Sequence, residues 1–464
     1  MGKVMSKLSV RNLSYQVEDF KILEHLSFSL EQGQVAGIYG KSGSGKSTLF
    51  NLLSGFQNAH NSKTEGEIYY DNSDIFTLSS RERCQKVTLM FQNVDTQFCM
   101  DTVENELIFC LENINSDLNT LTKKVQEALA FCEIEHLKKR NLSTLSGGEK
   151  QLVALACCYC LESEFLLLDE PFANLDAQST RQIVQKLQNL QEQRHIGILI
   201  IDHQVDNLKD WIANWYPLVD GRLESSLSVE KILEAEEALL TSLKVTEDFS
   251  RNISNSSQVI SAENISIHSG EKEILSQENF TFSKGKFIGI IGKSGSGKTT
   301  LLNTLAKQQK YQGKIDYLGK EMRKTNKHQF FSKTSYVCQN PQDQFITMTV
   351  KAELEAGKLK INLDKILKQV NLTGKENISP FKLSQGQQRR LAVIEFLLRP
   401  LQLLLCDEPT YGQDLENAYF IMKMIKEKVC NEQMTAVVVS HDEALLALFC
   451  DEIYVLSEHK LTRK

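Results

Sequence analysis

The chain has 464 residues, room for about two to four ordinary domains with separate cores. It is 41% hydrophobic and 24% charged with a net charge of −6, so nothing in its balance predicts a nucleic-acid partner, which calls for a strong basic field. Its longest apolar runs, such as Phe165–Leu168 and Ala436–Val439, fall far short of the roughly 20 residues a spanning helix needs.

In chain order, MGKVMSKLSV lacks the apolar core of a signal peptide. The run VAGIYG then ends in a Gly-rich loop, GKSGSGK at Gly40–Lys46, and continues as STLFNLLSG, which has helical spacing. Gln92 follows in FQN, then LSGGEKQ from Leu145, the apolar run FLLLDEP ending at Pro171, and GILIIDH ending at His203. The cysteines Cys157, Cys158 and Cys160 lie in LVALACCYCLE, which reads as an apolar helix. No second Cys or His pair stands at zinc-ligand spacing, so small thiols packed in a core are expected there. The eleven cysteines, odd in number and irregular in spacing, fit reduced thiols of the cytosol.

Residues 221–258 change character: SVEKILEAEEALLTSLKV reads as an acidic amphipathic helix, and RNISNSSQ as a flexible connector. Beyond it the first order of signals returns. GKSGSGK recurs at Gly292–Lys298, CQN carries Gln339, LSQGQQR starts at Leu383, LLLCDEP ends at Pro409 and VVSH ends at His441. The offset between copies is 252 at the Gly-rich loops and 238 from the LS-G segment onward, so the second copy has lost residues between the two, as a variable surface subdomain would. The pattern predicts a first domain over 1–225, an acidic helical linker over 226–258 and a second domain over 259–464. Continuous apolar strands that end in acids, alternating with helices, predict an α/β P-loop NTPase fold twice over, each copy with a helical subdomain.

Both loops satisfy G-x-x-x-x-G-K-[ST]. Gly40, Ser42, Gly43 and Gly45, and Gly292, Ser294, Gly295 and Gly297, let backbone N–H groups curl around phosphates at a helix N-terminus that continues through Thr48 and Thr300. Lys46 and Lys298 would reach the β- and γ-phosphates, and Ser47 and Thr299 would ligate Mg²⁺. Asp169 and Asp407 would hold the metal's water shell, and Glu170 and Glu408 would polarise the attacking water.

Phosphate loop, glutamine, LSGGQ-like segment, DEP and strand-end histidine together resemble the nucleotide-binding domain of ABC ATPases, twice along nearly the whole chain. The resemblance implies ATP and Mg²⁺, with Gln92 and Gln339 at the metal and γ-phosphate and His203 and His441 beside the reacting water. It implies head-to-tail pairing of the halves, each ATP lying between one phosphate loop and the other half's LSGGQ-like segment: Ser384, Gly386 and Gln387 for the first loop, Ser146, Gly148 and Glu149 for the second. Gln385 departs from the usual glycine. Asp176 and Asp414 match the loop through which the two sites communicate, and Tyr15 stands where the family places an aromatic ring on adenine, with Ile267 and His268 at that place in the second copy.

QNPQDQF at Gln339–Phe345, QNVDTQF at Gln92–Phe98 and EPTYGQD resemble energy-coupling factor ATPases with two fused halves. That resemblance implies a peripheral ATPase on the cytoplasmic face of the cell membrane. There a transmembrane coupling protein and a separate substrate-capture membrane protein would take up a vitamin or transition metal. Little chain follows His441, so no further C-terminal domain is expected. Fused ATPases of sugar and peptide importers share the two-half layout. So does a ribosome-binding ABC translation factor, against which the acidic connector, with Glu230, Glu234, Glu236, Glu237, Glu247 and Asp248, argues.

Overall fold

A computed structural model describes residues 6–56, 61–172, 175, 177–203, 205–245, 257–270, 272–293, 295–357 and 361–464. Asp176, Ser294, Glu247, Asp248 and most of the RNISNSSQ connector lie outside these residues. The chain divides into two units, Met1–Val245 and Thr246–Lys464.

In the first unit a six-stranded sheet runs in the order Arg222–Leu223, Trp215–Val219, Val35–Tyr39, Gly197–Ile201, Phe165–Asp169 and Val87–Met90. All neighbours are parallel except the terminal hairpin. Phe165–Asp169 and Gly197–Ile201 are buried along their whole length, which is why they read as unbroken apolar runs. A four-stranded antiparallel sheet, in the order Phe20–Glu31, Lys7–Val17, Ser62–Tyr70 and Ser73–Asp74, has alternating burial, one face on the core and one toward water. Helices Val103–Asn113, Leu118–Cys132 and Gly147–Leu161 form the helical part, with Cys157, Cys158 and Cys160 buried in its core.

The second unit repeats the plan. Its six-stranded sheet is ordered Thr334–Val337, Leu403–Asp407, Thr435–Val439, Phe287–Ile291, Glu452–Ser457 and Lys460–Arg463. Its antiparallel sheet is ordered Lys272–Ser283, Gln258–Ser269, Gln312–Tyr317 and Lys320–Glu321. The shortening falls largely on the helices: Val350–Glu355 has 6 residues where Val103–Asn113 has 11, and Leu363–Gln369 has 7 where Leu118–Cys132 has 15.

The acidic stretch is a helix, Val229–Val245, but it is not a free linker. Val229 and Ile232 are buried in the first unit's core, and the Tyr39 hydroxyl donates to Glu236 Oε1 at 3.0 Å. The helix therefore belongs to the first unit, and the division falls after it. Its acidic face is solvated while its apolar stripe packs, the ordinary balance for an amphipathic surface helix. Among the described residues no helix is long and apolar enough to cross a membrane.

Candidate functional site

Each Gly-rich loop joins the end of a buried strand, Val35–Tyr39 or Phe287–Ile291, to a helix, Lys46–Leu53 or Lys298–Leu305. The helix N-caps Gly45 and Gly297 sit at φ 103° and 98°, left-handed backbone that favours glycine. Close approach constrains Gly40 and Gly292: a Cβ there would lie 2.5 Å from the Leu218 carbonyl oxygen and 2.6 Å from that of Leu456. Backbone cannot yield like a side chain. Gly40→Ala is therefore expected to distort the first loop and to lower ATP stoichiometry in equilibrium dialysis from two per chain toward one.

Lys46 Nζ donates to the carbonyls of Gly40 at 2.7 Å and Lys41 at 2.8 Å, and Lys298 Nζ to those of Gly292 at 2.7 Å and Lys293 at 3.1 Å. Each lysine is buried with its ammonium folded into its own loop. The Ser44 and Ser296 hydroxyls are buried without a hydrogen-bond partner, one in each loop, and the motif singles out neither. An orphaned donor at the same place in two phosphate-type loops fits an anion's oxygens.

The second wall of each site is a strand end. Asp169 closes Phe165–Asp169 and bonds Ser47, and Asp407 closes Leu403–Asp407 and bonds Thr299. Burial, and then the neighbouring Glu170 charge, pushes the Asp169 carboxyl up to about 7, and burial also raises Asp407. In each carboxylate one buried oxygen, Oδ1, has no partner. A hydroxyl and a half-satisfied carboxylate side by side fit Mg²⁺ with its water shell, so Ser47 with Asp169 and Thr299 with Asp407 would hold the ion. When bound it would neutralise charge on the phosphate oxygens.

Glu170 and Glu408 follow at φ 48° and 50°, a conformation sparsely populated by residues other than glycine, with their amides anchored to Ile201 and Val439 carbonyls at 2.9 and 3.0 Å. The same strain twice aims a carboxylate out of the sheet toward the loop. In the first unit Gln92 Nε2 donates to Glu170 Oε2 at 2.6 Å and His203 Nε2 lies 3.0 Å from Oε1. Burial works against the Glu170 charge, but His203, Lys46 and Gln92 together hold the carboxyl below its ordinary value. Burial likewise opposes charge on His203, and Glu170 overcomes it, raising the imidazole.

The second unit differs. His441 Nε2 lies 3.2 Å from Glu408 Oε1, Gln339 is exposed, and burial raises the Glu408 carboxyl. Two residues that the motifs do not flag brace this half: the Tyr336 hydroxyl donates to Asp407 Oδ2 at 3.2 Å, and buried Arg389 donates to the Glu408 carbonyl at 3.1 Å. Burial lowers the Arg389 pKa to about 10. The one sign of this brace in the sequence is a pair of arginines, Arg389 and Arg390, directly before the apolar run Leu391–Ile394 of the helix.

Ser146 and Ser384 are N-caps of Gly147–Leu161 and Gln385–Leu397, each in a capping box with Glu149 or Gln387. Both serines are exposed, so each helix presents its N-terminal amides outward, with Gln385 exposed in the first turn and Gly148 and Gly386 behind it. Asp414 is the N-cap of Leu415–Glu432, accepting from the Asn417 amide at 2.9 Å. Ser42 and Thr48, and Thr300 in the other copy, lie on their loops and first helical turns, partly buried.

Tyr15 requires correction. It is 5% exposed and packs in the core with Leu8, Val10 and Leu13. Counting back from the loop locates the strand, but the pleat turns this ring inward, so it offers no face to a base. Ile267 is buried in the same way, while His268 is exposed. The exposed aromatic of this first-unit hairpin is Phe20, at 74%.

The ABC transporter family model matches residues 23–173 and 275–411. A putative HMP/thiamine import ATP-binding protein, YkoD, of Bacillus subtilis is 30% identical over 96% of this chain and 89% of its own length. A putative ABC transporter ATP-binding protein of Methanosarcina mazei is 29% identical over 98% of this chain and 94% of its own. Among solved structures, one described as RNase-L Inhibitor superposes with a TM-score of 0.63 at 23% identity, over 98% of this chain and 89% of that one, a likeness of fold.

Proposed function

Because the chain belongs to the ABC transporter family, as an ATP-binding ATPase with two tandem ABC domains, we propose that it energises a membrane importer of the energy-coupling-factor type. In this reading it sits at the cytoplasmic face of the membrane on an integral coupling protein, and the cargo is a vitamin or similar micronutrient. The pairing of each phosphate loop with the other half's LS-G segment, as the sequence resemblance implies, is part of the proposal. Glu170 and Glu408 take the proton of the attacking water, the histidines orient them, and Gln92 and Gln339 link the reacting end of ATP to the segment that follows.

The observation that carries a membrane partner lies on that segment. Ile346 and Met348, just past Gln339, are each 81% exposed, beside a cavity of about 150 Å³ lined by Gln344, Ile346, Glu353 and Arg399. Large apolar side chains bared together next to a groove mark an interaction site. The import function in the name of the Bacillus subtilis relative supports the direction of transport. With Ile346→Glu and Met348→Glu combined, recovery of integral partners from detergent-solubilised membranes should fall at least tenfold while ATP hydrolysis by the isolated chain stays within twofold. Unchanged recovery, or co-purification of the wild-type chain with ribosomes instead of membranes, would sink this reading.

A further inference from the structure

Helices Val103–Asn113 and Gly147–Leu161 of the first unit bring together groups that are far apart in sequence. A carboxylate oxygen of Glu106 and the sulfurs of Cys110 and Cys157 all lie within 4.8 Å of one another, and the two thiols hydrogen-bond. Glu106 also anchors the preceding loop, its Oε2 accepting from the amides of Cys99 at 2.9 Å and Met100 at 2.8 Å. Glu353 does the same in the second unit, accepting from the amides of Ile346 and Thr347. The cysteines have no such counterpart. At the places of Cys99, Cys110 and Cys157 the second copy has Ile346, Gly357 and Glu395, so a pair of thiols beside this carboxylate, with a third cysteine on the loop it anchors, occurs in one half only.

We propose that this cluster binds a thiophilic divalent cation of the zinc class through Glu106, Cys110 and Cys157, with Cys99, whose sulfur faces the Gln97 carbonyl at 3.8 Å, turning in to complete the set. Thiolate sulfurs around such an ion stand about 2.3 Å from it, which places tetrahedral ligands roughly 3.8 Å apart, so a small closure of the observed cluster suffices. Cys99 is exposed and held by its own amide to Glu106, and Cys110 is only partly buried, which gives the ion a way in. On binding, each ligating thiol loses its S–H proton to solvent and forms a sulfur–metal bond, with no change in oxidation state. The ion would tie the segment after Gln92 to Val103–Asn113 and Gly147–Leu161, two of the three helices of the helical part, the second of which begins with the LS-G segment.

The test is Co²⁺ titration of the reduced, chelator-stripped full chain, free of any histidine tag. One equivalent should give thiolate-to-cobalt charge-transfer absorption, bleached by Zn²⁺. Cys110→Ser should weaken binding at least 100-fold with unchanged circular dichroism, Cys99→Ser should lower the band's intensity, and Cys430→Ser in the second unit should leave it intact. Because Cys157 is fully in the core, Cys110 is the deciding position. A wild-type chain without a stoichiometric band, or a band that persists in Cys110→Ser, overturns the site.

Discussion

Glu170→Gln and Glu408→Gln are each expected to reduce steady-state ATP hydrolysis on the order of 100-fold while leaving Mg²⁺-ATP binding within a fewfold of wild type. Both carboxylates stand in the same strained backbone conformation at a strand end, each with an imidazole nitrogen within 3.2 Å. Glutamine keeps the shape and one acceptor oxygen, gives up one of the two bonds that the Glu170 carboxylate accepts, and cannot take the proton that leaves water. The environments are unequal: Gln92 and His203 hold Glu170 in its charged form, whereas Glu408 is more deeply buried and braced through its carbonyl by Arg389. The decisive comparison is the turnover of Glu408→Gln, measured with a coupled phosphate assay beside fluorescent-nucleotide titration. Wild-type turnover in that variant, with Glu170→Gln inactive, would assign hydrolysis to the first unit alone and overturn the expectation.

The parts of the site that were legible in sequence are those whose chemistry needs a fixed local spacing. A lysine at the mouth of a Gly-rich loop, a hydroxyl beside it and an acid pair closing an apolar run can be named from a dozen residues each, and Lys46, Ser47, Asp169 and Glu170 stand together in the fold accordingly. What was not legible depends on which way a side chain turns or on contacts between distant segments. An irregularity between Val10 and Leu13 shifts the phase of the strand by one residue and puts Leu13 and Tyr15 on the core face with Leu8 and Val10, a change that neither the spacing from the loop nor a simple alternation reveals. The acidic helix read as a linker because its charges dominate its composition, yet two residues of its apolar stripe, Val229 and Ile232, attach it to the first unit. Tyr336 and Arg389 brace the second site from other elements, and Cys110 reaches Cys157 only through helix packing. No local pattern announces such contacts.

Glu395→Gln should stabilise the second unit at alkaline pH and have almost no effect near pH 4.5. The side chain projects from Gln385–Leu397 toward Glu353, Gln344 and Arg399. Its Oε1 accepts from Gln344 Nε2 at 2.8 Å, and its Oε2 is buried without a partner. Burial, reinforced by the Glu353 carboxylate and only partly relieved by Gln344 and Arg399, pushes this carboxyl up to about 8 from its ordinary 4.5. Below about pH 4.5 both folded and unfolded chains carry the proton and the site is neutral to stability. Between about 4.5 and 8 the folded chain keeps a proton that the unfolded chain has lost, so stability falls as pH rises, by up to about 1.4 kcal/mol per pH unit. Above about 8 the folded chain also ionises and the loss levels off. Glutamine keeps the bond to Gln344 through its amide oxygen and turns an N–H₂ toward Glu353, with no charge to bury. A gain of about 2–3 kcal/mol at pH 8.5 is expected, discounted for solvent reaching the cavity, which corresponds to a melting temperature higher by roughly 5–10 °C for a unit of this size. Differential scanning calorimetry of the full chain at pH 5 and pH 8.5 measures it, with the second unit's transition followed in both. Equal shifts at the two pH values would show that the gain comes from packing and not from relief of a buried charge.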